Sequence, residues 1–531
     1  MDEKEFNLID SPWIVITENN GSNTELSLKE VLIRAHEIKT LSGELPAQDV
    51  AILRLLLAVL HSVFTCADEK GLHDYDEDEV MSIWKSLWDS RYFPREVIVE
   101  YLDRYRERFW LVHPERPFYQ VAGISKGTYY SASKLIGDLS ESSNKKRLFQ
   151  NRSGQTKSAL EYSQAARWLI HLNAFDDTSA KAAVRGQNMP SPGAGWLGKL
   201  GIIYAVGNNL FETLMLNFVL LNDKGQVWNI GKAAWELDEP RSAERTEISL
   251  PNSQAALLTL QSRRVLLERA NGMITGFILL GGDFFQKENT FSEQMTLWRR
   301  KDDKKDDYTP KRHDSTRQFW RDFTPLFAKT EKTRPPGVVS WLARLRIEGL
   351  IISRHVQMCA VSIQYGDKDF FVVDAWEDSI SVNADLLSTV GDRWIGRIIK
   401  LLDITDKMAY ALGILASDIA TASGDSGGIV SKRKSAREEA YFSFDMPFRG
   451  WLADISPESD DIDEACNSWE KTAYGIILRL GEEIVAQAGT RAFTGREKDG
   501  TYHSASRAHI KFVNTILKIL RENKVESVKG D

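Results

Sequence analysis

The chain has 531 residues, 42% of them apolar and 27% charged, with a formal net charge of −7. That is the composition of an ordinary globular protein, long enough for two to four domains at roughly 100–200 residues each and for a large core without disulfides. Three widely spaced cysteines, Cys66, Cys359 and Cys466, exclude a disulfide scaffold and a thiolate zinc site and suit a reducing cytoplasm.

The opening "MDEKEFNLIDSPWIVI" is acidic and lacks an apolar signal region. No apolar run is expected to reach the ~18 residues that span a bilayer, so the expectation is a cytoplasmic chain with no membrane partner. The charge of −7 hides local asymmetry: "NKKRLFQNR" (144–152), "WRRKDDKK" (298–305) and "SKRKSAR" (431–437) are basic clusters in expected loops. A single such cluster is usually a solvated face, but three in loops point toward phosphate. The fifteen tryptophans sit mostly in helical patterns and read as core anchors.

In chain order, "FNLIDSPWIVI" reads as strand broken at Ser-Pro. A helix follows with Ser27 as N-cap and Glu30 completing a capping box. "PAQDVAILRLLLAVLHSVFTCA" is apolar around most of its circumference and predicts a buried helix, with His61 a core histidine. Amphipathic helices are expected over 79–90 and 95–110, and "HPERPFYQV" is extended because of its prolines. "SQAARWLIHLNAF" restores a helix. "KAAVRGQNMPSPGAGWLGKLGIIYAVGNN" then carries six glycines and two prolines and reads as a long loop entering a strand, followed by the buried helix "LFETLMLNFVLL".

The middle third is mixed. "NSQAALLTLQSRRVLLER" predicts a helix and "GMITGFILLGGDFF" a strand. "DSTRQFWRDFTPLF" and "VVSWLARLRI" predict helices, and two β-runs around Tyr-Gly-Asp-Lys-Asp predict a hairpin with a charged tip. From Asp385 strand signals disappear. Four long helical patterns, near 387–422, 432–455, 462–487 and 504–523, predict a C-terminal four-helix bundle. The fold class is thus a mixed α+β N-terminal domain over 1–380 and a four-helix bundle over 385–531.

Catalytic signatures are weak. "GDSGG" around Ser426 spells the nucleophile loop of trypsin-like proteases, but it lies between an alanine-rich helix and a second helix rather than between strands of a β-barrel. The sequence has no P-loop and no His-Glu-x-x-His pattern, and its nine histidines are scattered. A serine hydrolase using Ser426 and a purely structural helical scaffold remain as alternatives to a binding protein, which is expected not to be an enzyme.

Five ordered blocks carry a resemblance. "FNLIDSPWIVI", "HPERPFYQV", "FDDTSAKAAVRGQNMPSPGAGWLGKLGIIYAVGNNLFETLMLN", "MTLWRR…YTPKRHDSTRQFWRDF" and "SIQYGDKDFFVVDAWEDSI" are similar, in order, to the blocks of the large-subunit (CasA) family of the type I-E CRISPR surveillance complex, Cascade. The resemblance spans essentially the whole chain. It implies a mixed α/β domain with a helical bundle, working with the other Cascade subunits, crRNA and double-stranded target DNA. The subunit would read the protospacer-adjacent motif, promote duplex opening and R-loop formation, and recruit a separate helicase-nuclease, while pairing to the guide reads the rest of the sequence.

Site residues follow from the same resemblance. The glycine-rich loop that lies against the minor groove falls on Gly186, Gln187 and Asn188 or on the adjoining Gly193 and Gly195, since small residues let a backbone enter a groove only ~6 Å wide. The wedge at a hairpin tip falls on Asp367 and Lys368, with Lys368 where relatives carry glutamine. A lysine finger is expected near 281–287, with Lys287 the candidate. The loop that meets the crRNA handle and neighbouring subunits falls on Lys145, Lys146, Arg147, Phe149 and Asn151. Lys432, Arg433, Lys434 and Arg437 form a basic end of the bundle suited to DNA phosphate, although cations at a helix start oppose its dipole. No cofactor is implied, and the cysteine cluster that holds zinc in some relatives is missing, so no metal is expected.

Overall fold

The computed structural model describes residues 4–65, 76–124, 127–141, 146, 152–178, 193–229, 231–239, 248–301 and 306–529. The chain forms two compact units. The first takes Met1–Thr316, Ala328–Leu342 and Gln357–Ser379; the second takes Arg317–Phe327, Ala343–Val356 and Ile380–Asp531. The mixed α/β character and the helical C-terminal region expected from the sequence are both present.

The first unit starts with strand Glu5–Asn7, paired with Trp110–Val112, and Ile14–Glu18 follows, flanked by Asn23–Leu26 and Ile38–Leu41 in an antiparallel sheet. The Ser27–Glu30 capping box forms: the Glu30 N–H donates to Ser27 Oγ at 3.3 Å and the Ser27 N–H to Glu30 Oε2 at 3.0 Å. Helix Pro46–Thr65 corrects one expectation, since its stretch Pro46–Phe64 is long and apolar enough to cross a bilayer. It is the core helix of this unit instead, with 89% of its apolar window buried in protein. One charge on it, Arg54, is neutralised by a two-point pair with the buried Glu293 at 2.7 and 2.9 Å. His61 is buried as expected.

The expected helix over 252–269 is wrong. Only Gln254–Leu258 is helical, and Arg263–Ala270 is a strand paired antiparallel with Met273–Gly281. Asn271 and Gly272 form the connection with φ of 54° and 75°, the left-handed pair that joins two-residue hairpins, and "NG" was the overlooked signal. Tertiary charge decides the rest, because Arg263 and Arg264 are buried against Asp176 and Asp283. The 95–110 helix likewise stops at Arg104, and Trp110 enters a short strand, Trp110–Val112. "DSTRQFWRDFTPLF" yields only the short turns of helix Phe319–Asp322 and Phe323–Phe327.

In the second unit the long helices are Gly391–Ser423, Ile429–Asp454, Ile462–Ala486 and Ala505–Lys529, and the first packs against the other three. Gly413 permits a close approach: a Cβ there would sit 2.8 Å from Arg437 Cγ and 3.0 Å from the Arg433 carbonyl. The expectation that strands vanish here fails at one place, the small hairpin Arg496–Lys498 and Thr501–His503. Gly500, with φ of 71°, belongs to its turn.

Candidate nucleic-acid interface

The site forms around the described residues that flank the glycine-rich segment, Thr178 and Gly193. Helix Tyr162–Phe175 is buried along nearly its whole length and ends in Asp176, Asp177 and Thr178. Chain description resumes at Gly193, so Gly186, Gln187 and Asn188 lie outside the described residues. Both ends of the intervening segment are held together. The Gly195 N–H donates to the Asp176 carbonyl at 2.9 Å, and the Arg263 guanidinium donates to the carbonyls of Asp177 and Gly193, each at 2.8 Å.

Two glycines here have distinct reasons. Gly193 has φ of 77°. Gly195 runs so close to the preceding helix that a Cβ would lie 2.4 Å from the Ala174 carbonyl oxygen.

The clamp is electrostatically closed beneath the surface. Arg263 Nε donates to Asp176 Oδ2 at 2.6 Å, and Lys134 lies 3.1 Å from Asp176 Oδ1 and 2.9 Å from Asp177 Oδ2. All four side chains are essentially inaccessible, so two cations and two carboxylates compensate one another. Burial alone would depress the Lys134 ammonium, but Asp176 and Asp177 outweigh it and raise its pKa.

The hairpin tip docks onto this base. Strands His355–Tyr365 and Val372–Asn383 are joined through Gly366 and the turn Asp367–Asp369. Within the first unit, residues 357–361 pair with Val206–Ile202, the strand that follows the glycine-rich segment. Tyr365 Oη donates to the Phe175 carbonyl at 2.6 Å. Thr178 donates its N–H to the Asp369 carbonyl at 3.0 Å, and its hydroxyl lies 3.2 Å from the carbonyls of Lys368 and Asp369.

Asp369 is held from the other side by both terminal nitrogens of Arg312, at 2.7 and 2.8 Å, and Arg312 stacks on the Tyr365 ring at 5.3 Å. Lys368 and Asp369 both take left-handed backbone (φ 55° and 57°), an uncommon conformation for non-glycine residues that the dock holds in place. It leaves the Asp367 and Lys368 side chains exposed.

Lys199 completes the positive face. It follows the glycine-rich segment in the turn Leu197–Lys199 and lies 5.3 Å from the centre of the Phe284 ring. Burial, then the charges of Arg263, Lys287 and Arg312, push its ammonium down to about 8 against the pull of Asp369. Lys287 is therefore electrostatically within reach of the same spot, and it is exposed.

Gly193, Asp367 and Lys368 thus lie about one dock in the first unit, with Gly195 buried beneath it and the charge of Lys287 felt at Lys199. Sequence reasoning missed Lys199, Arg263, Arg312, Thr178 and the Lys134–Asp176–Asp177 group. The doubled acid that ends helix Tyr162–Phe175 was visible in "FDDTS", but its partners are distant in sequence.

Elsewhere, Lys145, Arg147, Phe149 and Asn151 lie outside the described residues, and Lys146 is exposed. In the second unit, Asp425 accepts from the Gly428 N–H and pairs with Lys432, both at 2.9 Å, and so supplies an acid at the start of helix Ile429–Asp454. Lys434 pairs with Glu438, while Arg433 and Arg437 turn toward the Tyr410 ring at 5.6 and 5.7 Å. Ser426 is exposed in the interhelical turn that begins after Gly424, whose φ is 84°.

The chain thus combines a mixed α/β unit, whose charged hairpin tip docks beside Thr178 and Arg312, with a helical unit. The family model described as CRISPR-associated protein Cse1 matches residues 7–480, and the chain belongs to that Cse1/CasA large-subunit family. It is 31% identical over 329 residues to the CRISPR-associated protein CasA/Cse1 of Thermus thermophilus, an alignment that spans 61% of this chain and 61% of that relative. The crystal structure of Thermobifida fusca Cse1 superposes with a TM-score of 0.82 at 30% identity, covering 97% of this chain and 98% of that one. A chain of a solved CRISPR RNA-guided surveillance complex shares the fold, with a TM-score of 0.64 at 16% identity, over 97% of this chain and 100% of that one.

Proposed function

We propose that this chain is the non-catalytic large subunit of a type I-E CRISPR surveillance complex, assembled with the other Cascade subunits and crRNA, and that it recognises the protospacer-adjacent motif in double-stranded DNA. The observation that carries this reading is the docking of the hairpin tip on the base of the glycine-rich segment, beside Lys199, Lys287 and Arg312. Such an arrangement offers small residues and backbone to a narrow groove, cations to the flanking phosphates, and an exposed Asp367–Lys368 turn to the adjacent base pairs.

Lys368 replaces a neutral wedge by a cation, so duplex opening in this chain relies on holding a parted phosphate as well as on steric insertion. The four long C-terminal helices are read as a bundle near the opened duplex, with the helicase-nuclease recruited after R-loop formation. Family membership and the fold shared with a chain of a surveillance complex support the assembly. The test is a gel shift with the assembled complex on duplexes that differ only at the motif, with and without Lys368→Ala. Motif-dependent binding that weakens in the variant is expected, and equal binding to all duplexes overturns the reading.

A further inference from the structure

The second unit contains a cavity that takes in Arg437 of the basic cluster. It has a volume of about 710 Å³ and lies between helices Gly391–Ser423, Ile429–Asp454 and Ala505–Lys529 and the segment at Arg317–Arg321. A volume of this size falls in the range, roughly 300–1,000 Å³, that holds a small organic ligand. Ala411, Leu415 and Phe512 form a buried apolar floor, and Tyr410, 50% exposed, stands at the mouth.

The polar lining is strongly one-sided. Arg317, Arg321, Arg437, Lys407 and Lys511 face two carboxylates, Asp406 and Asp418. The two lysines are paired, Lys511 with Asp418 at 2.9 Å and Lys407 with Asp403 at 2.6 Å, whereas Asp406 is 3.9 Å from Arg321. The Nε atoms of Arg317, Arg321 and Arg437 are buried and have no hydrogen-bond partner among the described residues. Burial and the neighbouring Arg317, with Arg437 adding to it, hold Arg321 below the usual guanidinium range. Clustered, partly desolvated guanidiniums repel one another, and an anion relieves that cost.

Two rings sit among these charges. Arg321 lies 3.4 Å from the centre of the Tyr441 ring, and Arg433 and Arg437 approach Tyr410 at 5.6 and 5.7 Å. Guanidinium planes and aromatic rings over an apolar floor are a stacking platform for a planar base, and clustered guanidiniums beside it suit a phosphate.

We propose that this cavity binds a nucleotide, with its base against Tyr410 and the apolar floor and its phosphate among Arg317, Arg321 and Arg437. The ligand chemistry is the same for a free nucleotide and for one unit of a single strand. Calorimetry on the full chain separates the sources: dTMP, an eight-residue oligo-dT, thymidine and inorganic phosphate are titrated in turn, alongside an acidic leucine-containing peptide. Binding of dTMP at least tenfold tighter than thymidine or phosphate is expected. An oligo-dT affinity a further tenfold higher identifies a strand, and an equal one identifies a free nucleotide.

Arg437→Gln and Tyr410→Ala each lower the affinity about tenfold, and Ile414→Trp blocks binding by filling the cavity. Tyr410 is half exposed, so its variant remains informative if Ile414→Trp fails to fold. Preference for the peptide, equal binding of phosphate alone, or indifference to Arg437→Gln and Tyr410→Ala overturns the proposal. None of these results bears on motif-dependent duplex binding, which belongs to the first unit.

Discussion

Thr178 donates its backbone N–H to the Asp369 carbonyl at 3.0 Å, which ties the residue that begins the glycine-rich segment to the tip of a hairpin 191 positions away. The same carboxylate-bearing residue is gripped by Arg312, and two residues before Thr178 the Asp176 carboxylate is gripped by Arg263. Thr178 and the hairpin tip therefore cannot separate without breaking these bonds.

Arg263→Met should destabilise the first unit by about 3–5 kcal/mol, since it removes one member of a buried charge group and leaves Asp176 with only Lys134. Urea denaturation reads this directly. A loss below ~1 kcal/mol is the outcome that contradicts the clamp.

Gly195→Ala should cost about 1–3 kcal/mol by forcing the segment away from the Ala174 carbonyl, where a Cβ would lie at 2.4 Å. The same change at Gly123, whose Cβ position is open, would carry only the penalty of its φ of 68°. Thermal melts of the two variants make the comparison.

Arg312→Gln should leave the fold of the first unit intact and release the Asp369 carboxylate at the hairpin tip. Target-duplex opening by the assembled complex should then slow severalfold, because the left-handed Lys368–Asp369 turn loses its restraint. A strand-separation assay with a base analogue beside the motif measures it, and unchanged opening excludes a role for the restraint.

Lys199 should titrate near pH 8, against an ordinary lysine value of 10.5. Affinity for DNA phosphate should fall as pH rises through about 8, and Lys199→Arg should flatten that dependence. The stability sign is opposite. Between about 8 and 10.5 the unfolded chain still holds the proton that the folded chain has released, so stability rises with pH across that window. Binding and melting curves over this range check both signs.

His61 and His171 are buried, and burial pushes both imidazoles down to about 3, with the Lys134 charge adding to the effect at His171. Below about pH 6.5 the unfolded chain takes up protons at these positions and the folded chain does not, so stability falls as pH drops from 6.5 toward 3. His61→Phe should shallow that slope. Denaturant titrations between about pH 4 and 7 test it, and an unaltered slope removes His61 from the account.

Much of the secondary structure was legible. The Ser27–Glu30 cap, the buried helix around His61, the hairpin about Gly366–Asp369 and four C-terminal helices within a few residues of their ends all followed from spacing and caps. The failures share a cause. The run at Arg263–Ala270 has helical apolar spacing, yet it is a strand because its arginines are consumed by Asp176 and Asp283 and Asn271–Gly272 turns it back. At Pro46–Phe64 the expected buried helix forms, but its apolar run is longer than expected and meets the length of a bilayer span.

Sequence alone determined the elements, the glycine-rich segment and the order of blocks that marks the family, because caps, periodicity and backbone-permissive residues act over a few positions. It also located two ends of the composite surface, Gly193–Gly195 and Asp367–Lys368, without joining them. Only the tertiary structure decided that they meet, through Thr178, Arg312 and Arg263, and that five cations ring a cavity among the C-terminal helices. Contacts between residues many tens of positions apart depend on how the elements pack, and no local propensity encodes them.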